Sequence, residues 1–314
     1  MTDAYKALRA LSLRQLRTFH VMARHLNFTA AARELHVTQP AVSMQVRELE
    51  ELCGSPLYER IGRRVHLTAA GEELAACARA ILAVLADTAE RLAALGGEGG
   101  GTLRLGAIST AEYFAPALLA QFRARHPAVA VQIKVGNRED IVRRLLANEF
   151  DLAIMGRPPA GVPTVAASFA AHPLVVVAAP EHPLARARSV PFARLAGEHF
   201  LVREPGSGTR AAMEEVFGAH GLSIASSMEM SSNETIKQAV MAGLGLAFIS
   251  RHVIGLELAT RRLVVLPVRG LPLLREWYVI HLAAKRLTPL AAGFRDFLLE
   301  QGRAAIDAAV DRRA

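Results

Sequence analysis

The chain has 314 residues, of which 52% are hydrophobic and 21% charged, and it carries a formal net charge of +8. This composition excludes a disordered chain, leaves room for two or three domains with cores of their own, and hints at a polyanionic partner. Two cysteines, Cys53 and Cys77, exclude a disulfide framework and cannot alone complete a structural zinc site. No cofactor and no metal are expected. The start, "MTDAYKALRALSLRQLRTFH", lacks an apolar run followed by a small-residue cleavage site. The richest apolar stretches, "LVVVAA" and "GLGLAFI", fall far short of the roughly 18 residues of a membrane span. A cytoplasmic protein with no membrane partner is the expectation.

The excess charge is uneven. Residues 1–67 hold ten Lys/Arg and six acids, leaving +4, half the total, in about a fifth of the chain. Three helices are predicted there: "LRQLRTFHVMARHL", "FTAAARELH" and "TQPAVSMQVRELEELCG". Thr29 is expected to cap the second. Thr38 is expected to cap the third, with Gln39 and Pro40 in its first turn, where a missing N–H costs little. Val42, Val46, Leu49 and Cys53 recur at steps of 4, 3 and 4 and form one apolar face. Pro40, Ser43, Met44 and Arg47 take the opposite face, with Gln39 at its leading end. A helix-turn-helix needs this arrangement, one face buried and the N-terminal part of the other offered to the major groove. The same spacing also fits a plain helical hairpin. A short strand pair, "PLYERIGRRVHLT", follows. Arg60, Arg63 and Arg64 cluster around its tip at Gly62, as the phosphate-contacting residues of a wing do, or as a solvated basic turn.

A helix without Pro or Gly is predicted from Glu72 to Leu95. Leu74, Ala78, Ile81, Leu85, Thr88, Leu92 and Leu95 fall at alternating steps of 4 and 3, a heptad seam suited to a homodimer, or an amphipathic face packed on its own domain. "GGEGGG" then breaks the helix as a hinge. Beyond it, strand and helix patterns alternate to the C-terminus, predicting mostly parallel sheets in two small lobes rather than one sheet, with "TPLAAGFRDFLLEQG" as a packing helix. The expected boundaries are 11–68 for the DNA-binding domain, 69–96 for the linker helix, 97–101 for the hinge and 102–314 for a ligand domain. One lobe takes about 102–171 and 273–314, the other about 172–272.

Polar, turn-rich segments recur after the strands, where open α/β sheets bind ligands. The richest is "REPGSGTR". Arg203 and Arg210 flank Gly206, Ser207 and Gly208, and Thr209 opens a helix. Backbone N–H groups, hydroxyls and guanidiniums of this kind can hold a phosphate or carboxylate. Ser109 and Thr110, Asn137 and Arg138, Arg157, and Ser232, Asn233 and Lys237 lie at other strand ends that can converge on the same cleft. Ser109 and Asn233 equally suit helix caps, and Arg157 or Arg203 an ion pair within one lobe. The Walker spacing, the Gly-x-Ser-x-Gly elbow and His-Glu-x-x-His are all absent. No nucleophile, base and orienter can be assembled, so no catalytic residues are named. A sensor is expected rather than an enzyme.

Residues 11–71, "LSLRQLRTFHVMARHLNFTAAARELHVTQPAVSMQVRELEELCGSPLYERIGRRVHLTAAG", resemble the winged helix-turn-helix of LysR-type transcriptional regulators, and the remainder resembles that family's effector domain. The resemblance implies an α/β protein overall: a winged helix-turn-helix, a dimerising linker helix and two Rossmann-like lobes similar to periplasmic binding proteins, with an inducer in the cleft. It implies promoter DNA as a partner, a homodimer that often pairs into a tetramer, and contact with RNA polymerase. "VGNRE", "AIMGRPP", "FLVREPGSGTR", "MEMSSNETIKQAVMAGLG" and "REWYVIH" look like the branch that regulates carbon dioxide fixation operons. That branch suggests ribulose 1,5-bisphosphate, phosphoenolpyruvate or NADPH as the effector. Met44 departs from the wider family, where many members carry a base. The competing class is an α/β enzyme or solute-binding protein with an accessory helical domain; the first needs a catalytic constellation and the second an export signal.

Overall fold

The computed structural model describes residues 9–62, 64–95, 101–223 and 227–311. Arg63 and nearly all of the expected hinge lie outside them. The chain divides into two compact units, 1–90 and 91–314.

The first unit opens with α1 (Leu13–His25), α2 (Phe28–Leu35) and α3 (Gln39–Cys53). Each start is fixed by a side chain that satisfies N–H groups the helix cannot. Ser12 and Gln15 form a capping box on α1. Asn27, not Thr29, caps α2: its Oδ1 accepts from the N–H groups of Thr29 and Ala30 at 2.9 and 3.0 Å. Either residue type can cap, and the extended backbone falls at Asn27. Thr38 caps α3, accepting from Ala41 N–H. Val42, Val46 and Leu49 are fully buried with Phe19, Met22 and Ala31, and each such large side chain removed from water contributes about 1.5–3 kcal/mol. β1 (Tyr58–Ile61) and β2 (Arg64–Leu67) form the antiparallel wing.

α4 runs from Ala69 to Leu95. Its apolar positions divide between two environments. Leu74, Ala75 and Ala78 are buried in the core of the first unit, whereas Ile81, Val84, Leu85 and Leu92 stand exposed. The start of the expected seam is therefore part of the domain's own core.

The second unit contains β3 (Gly101–Ile108), a short 3-10 segment (Ser109–Tyr113), α5 (Ala115–Arg125), β4 (Val129–Gly136), α6 (Arg138–Leu146) and β5 (Leu152–Met155). Then come β6 (Thr164–Ala178), β7 (Phe200–Arg203), α7 (Gly208–Ala219), β8 (Ser227–Met230), α8 (Asn233–Met241) and β9 (Leu246–Ser250). α9 (Gly255–Ala259), β10 (Val264–Val265), β11 (Leu273–Leu282) and α10 (Pro289–Asp311) complete it. The expectation of separate, mostly parallel sheets is corrected: the two lobes, each built on one parallel trio, share a single mixed sheet. One nine-stranded mixed sheet runs in the order β4-β3-β5-β11-β6-β9-β7-β8, with β10 beside β6. β4, β3 and β5 are parallel, as are β8, β7 and β9. Between the trios run β6 and β11, antiparallel to each other and to their neighbours. The register shifts between Trp277 and Tyr278, a bulge that bends this crossing pair. One apolar core gathers β3, β5, α5, Trp277 and α10, including Phe294 and Ile306. Two more lie on either side of the second trio, around Phe200 and Phe217 and around Ile236 and Ile249.

Candidate functional site

In the first unit, the outer face of α3 presents Pro40, Met44 and Arg47 to solvent, Met44 at 58% exposure. Among the described residues Arg47 pairs with Glu51, at 3.5 Å. Ser43 is half-buried and accepts from Gln39 Nε2 at 2.7 Å, so these two side chains begin engaged with each other. Thr29 is exposed on α2. On the wing, the Arg60 guanidinium lies 5.8 Å from the Phe28 ring centre, and Phe28 meets Tyr58 edge-on at 5.0 Å. Arg64 is exposed opposite Ile61. The underside holds a contact that the spacing did not reveal: Thr18 donates to Gln45 Oε1 at 2.6 Å, tying α1 to the inner face of α3.

In the second unit, the C-terminal ends of both parallel trios face one another, and the residues singled out there separate into two groups. The first surrounds a cavity of about 310 Å³. Its wall includes Ile108, Arg138, Gly156, Arg157 and Pro158 from one trio, Gly208, Thr209 and Glu215 from α7, and His172, Leu174 and Arg275 from the crossing strands. Three guanidiniums thus face one carboxylate. Arg275 meets Glu215 at 2.8 Å and Arg157 meets it at 3.5 Å. Arg138 donates to the carbonyls of Arg157 and Pro158 and has no carboxylate partner among the described residues. Burial, then the neighbouring Arg157 and Arg275, push the Arg138 pKa down. α7 begins here, and Ser207 caps it without a side-chain hydrogen bond.

The second group is a buried network. Arg203, 4% exposed, pairs with Glu204 at 2.8 Å, donates to Asn233 Oδ1 at 2.7 Å, and reaches across to Ser109 Oγ at 3.2 Å. Lys237 sits between Glu234 and Glu257, both at 2.9 Å, with its ammonium 4.9 Å from the Tyr113 ring centre. Two cations here meet three carboxylates. Burial raises the Glu112 pKa, and burial followed by Glu112 raises that of Tyr113.

The expected anion ligands are therefore divided. Arg138, Arg157, Gly208 and Thr209 line the cavity; Ser109, Thr110, Ser232, Asn233, Arg203 and Lys237 do not. Ser232 caps α8 and Asn137 caps α6. Arg203 and Lys237 each have carboxylate partners in this structure. Arg210 has carboxylate partners as well. It pairs with Glu214 at 2.8 Å and Glu229 at 2.7 Å, away from the cavity wall. Gly206 serves a close approach: its φ is +83°, its carbonyl accepts from Glu139 N–H at 3.2 Å, and a Cβ would lie 2.5 Å from Glu139 Oε2. Arg275, Glu215 and His172 were not foreseen; only tertiary pairing brings them to the wall.

Among the described residues no cluster of His, Cys, Asp and Glu can hold a metal, and no helix is long and apolar enough to cross a membrane. A winged helix-turn-helix unit joined to a two-lobed α/β unit with a ligand-sized cleft defines the class of bacterial DNA-binding transcriptional regulators. The comparisons with known proteins give the family. Residues 13–72 match the bacterial regulatory helix-turn-helix protein of the lysR family, and residues 96–303 match the LysR substrate binding domain. The chain belongs to the LysR family of transcriptional regulators. It is similar to the RuBisCO operon transcriptional regulator of Allochromatium vinosum, 50% identical over 291 residues, 93% of this chain and 96% of that one. The HTH-type transcriptional regulator CbbR of Rhodospirillum rubrum is also 50% identical over 291 residues, covering 93% of this chain and 97% of its own. Among solved structures, the regulatory domain of Synechocystis PCC6803 CcmR in complex with 2-PG is 40% identical. It covers 64% of this chain and 96% of its own, with a TM-score of 0.62.

Proposed function

We propose that this chain regulates a carbon dioxide fixation operon from the cytoplasm, and that a small anionic metabolite in the interlobe cavity sets how it binds promoter DNA. One observation carries the reading: a ligand-sized cavity walled by three guanidiniums and one carboxylate. The excess positive charge suits a phosphate or carboxylate. The similarity to CcmR, whose regulatory domain was solved with 2-PG, supports the same class of ligand. The cavity is at the small end of ligand sites, roughly 300–1,000 Å³. That favours ribulose 1,5-bisphosphate or phosphoenolpyruvate over NADPH.

The metabolite is bound and released unchanged; the cavity has cations to hold an anion but no nucleophile paired with a base. It biases the arrangement of the lobes only through its differential affinity for their open and closed forms. Promoter recognition falls to the outer face of α3, with Gln39, Pro40, Ser43, Met44 and Arg47 toward base edges and Arg60, Arg63 and Arg64 toward phosphates. The exposed stripe Ile81, Val84, Leu85 and Leu92 joins two copies into a dimer, which presents two recognition helices to an interrupted inverted repeat. Pairing of dimers and contact with RNA polymerase complete the scheme.

Fluorescence anisotropy tests it. The full-length protein is titrated into labelled RuBisCO-operon promoter duplex with and without ribulose 1,5-bisphosphate, phosphoenolpyruvate or 2-PG. At least one metabolite is expected to shift DNA affinity severalfold. Indifference to all three, with specific DNA binding intact, rejects the metabolite half of the proposal; absence of specific binding rejects the whole.

A further inference from the structure

The cavity wall contains a polar group that nothing described so far uses. His172, on β6, is 4% exposed and faces the cavity. Neither of its ring nitrogens, both buried, has a hydrogen-bond partner among the described residues. The ring stacks on Trp277, centres 4.0 Å apart at 18°, and Trp277 gives its Nε1–H to His252 Nδ1 at 3.0 Å. The indole and the second imidazole thus satisfy one another and leave His172 out. Gly156 makes room for the ring: a Cβ there would stand 2.8 Å from His172 Nδ1.

Buried polar groups are nearly always hydrogen-bonded, because leaving one unmade costs stability. An orphan facing a ligand-sized cavity is a site waiting for its partner. The charged and titratable groups around it are Arg275 on β11, Arg138 on α6, Arg157 after β5, Glu215 on α7 and His252 after β9. Burial, then His252 and Arg275, push its pKa down to about 3, so the ring is a neutral imidazole. Such a ring offers one N–H donor and one bare acceptor nitrogen, whereas guanidiniums only donate.

The geometry points to His172 as a specificity-determining residue of the cavity, hydrogen-bonding the uncharged, hydroxyl- or carbonyl-bearing part of a phosphorylated or carboxylated ligand while the arginines hold its anionic part. This rests on the reading of the cavity as the anion site. It has a two-sided consequence: the orphaned nitrogens burden the empty protein, and the ligand relieves them.

Calorimetry on the full-length protein separates the two ideas, with ribulose 1,5-bisphosphate as a probe carrying both parts and inorganic phosphate as the anionic part alone. His172→Phe keeps a ring on Trp277 and removes both nitrogens. It is expected to weaken the sugar bisphosphate about tenfold and inorganic phosphate less than twofold, and to leave the Tm of the empty protein unchanged or raised. His172→Gln, which keeps a donor and an acceptor, recovers part of the loss. Equal bisphosphate affinity in wild type and His172→Phe, or equal losses for both probes, overturns the inference and leaves the anion site standing. Failure of wild type to bind either probe overturns both. Should the Phe variant not fold, the imidazole 15N signals of wild type decide. A His172 nitrogen that shifts with the bisphosphate and not with phosphate supports the inference, and one that never shifts sinks it.

Discussion

The cavity and the Arg203–Lys237 network are built from the same residue types at equivalent strand ends, yet they end in opposite electrostatic states. Around the cavity, Arg157 and Arg275 share one carboxylate, Glu215, and Arg138 has none among the described residues. In the network, Arg203 and Lys237 are outnumbered by Glu204, Glu234 and Glu257. In the proposed function, positive charge left over is available to a ligand, and positive charge already paired holds the fold. Clustered cations thus locate a candidate region, and on the proposed reading their carboxylate partners separate the cations that bind from those that do not.

Removing a cation from the network should cost the most. Lys237→Met strands the buried Glu257, and denaturation should show a loss of about 3–5 kcal/mol. A loss below 1 kcal/mol would mean that the network is solvated and the contrast false. Acid should come next. Burial is the main cause holding the His172 and His252 pKa values down, to about 3 and about 4, against 6.5 for a free imidazole. Both rings are neutral when folded, so their contribution is complete above pH 6.5 and is lost as pH falls through 4 toward 3. The slope approaches about 1.4 kcal/mol per pH unit for each ring, or about 2 kcal/mol for each by pH 5. Denaturation curves from pH 7 to 5 should be markedly flatter for the double variant His172→Phe/His252→Phe.

Arg275→Ala belongs to the other side of the comparison. It removes a charge-assisted contact worth about 1.5–3 kcal/mol of ligand affinity, roughly tenfold or more, measured by calorimetry with phosphoenolpyruvate. Its stability cost should be smaller than that of Lys237→Met. The smallest effect is expected at Arg210. Its partners Glu214 and Glu229 are over half exposed, so Arg210→Ala should change stability by about 1 kcal/mol or less and leave ligand affinity unchanged.

Much of this was legible in the sequence where a period or a breaker carried it. The inner face of α3, the wing around Gly62 and the Pro- and Gly-free stretch of α4 from Glu72 onward follow from residue spacing alone. So does the opening of α7 after "REPGSG". The first half of β6 did not. "TVAASFAAHP" has small residues in place of alternation, and only its long pairing with β11 makes it a strand. That pairing also hid the site, because the register that opposes Arg275 to His172 is a tertiary fact. Asn27 and Thr29 could each have capped α2, and backbone geometry chose. The seam was visible as a period, but not that Leu74 and Ala78 are used by the domain's own core.

The cavity arginines, three guanidiniums around one carboxylate, are proposed to form the effector site, and the paired Arg203, Arg210 and Lys237 are not. Calorimetry of ribulose 1,5-bisphosphate, phosphoenolpyruvate and 2-PG against wild type, Arg157→Ala/Arg275→Ala and Arg210→Ala tests it directly. A ligand bound by wild type is expected to be lost at least about a hundredfold in the double variant, from two contacts of about 1.5–3 kcal/mol each, and to be retained within twofold by Arg210→Ala. Retention by the double variant together with loss in Arg210→Ala would contradict it.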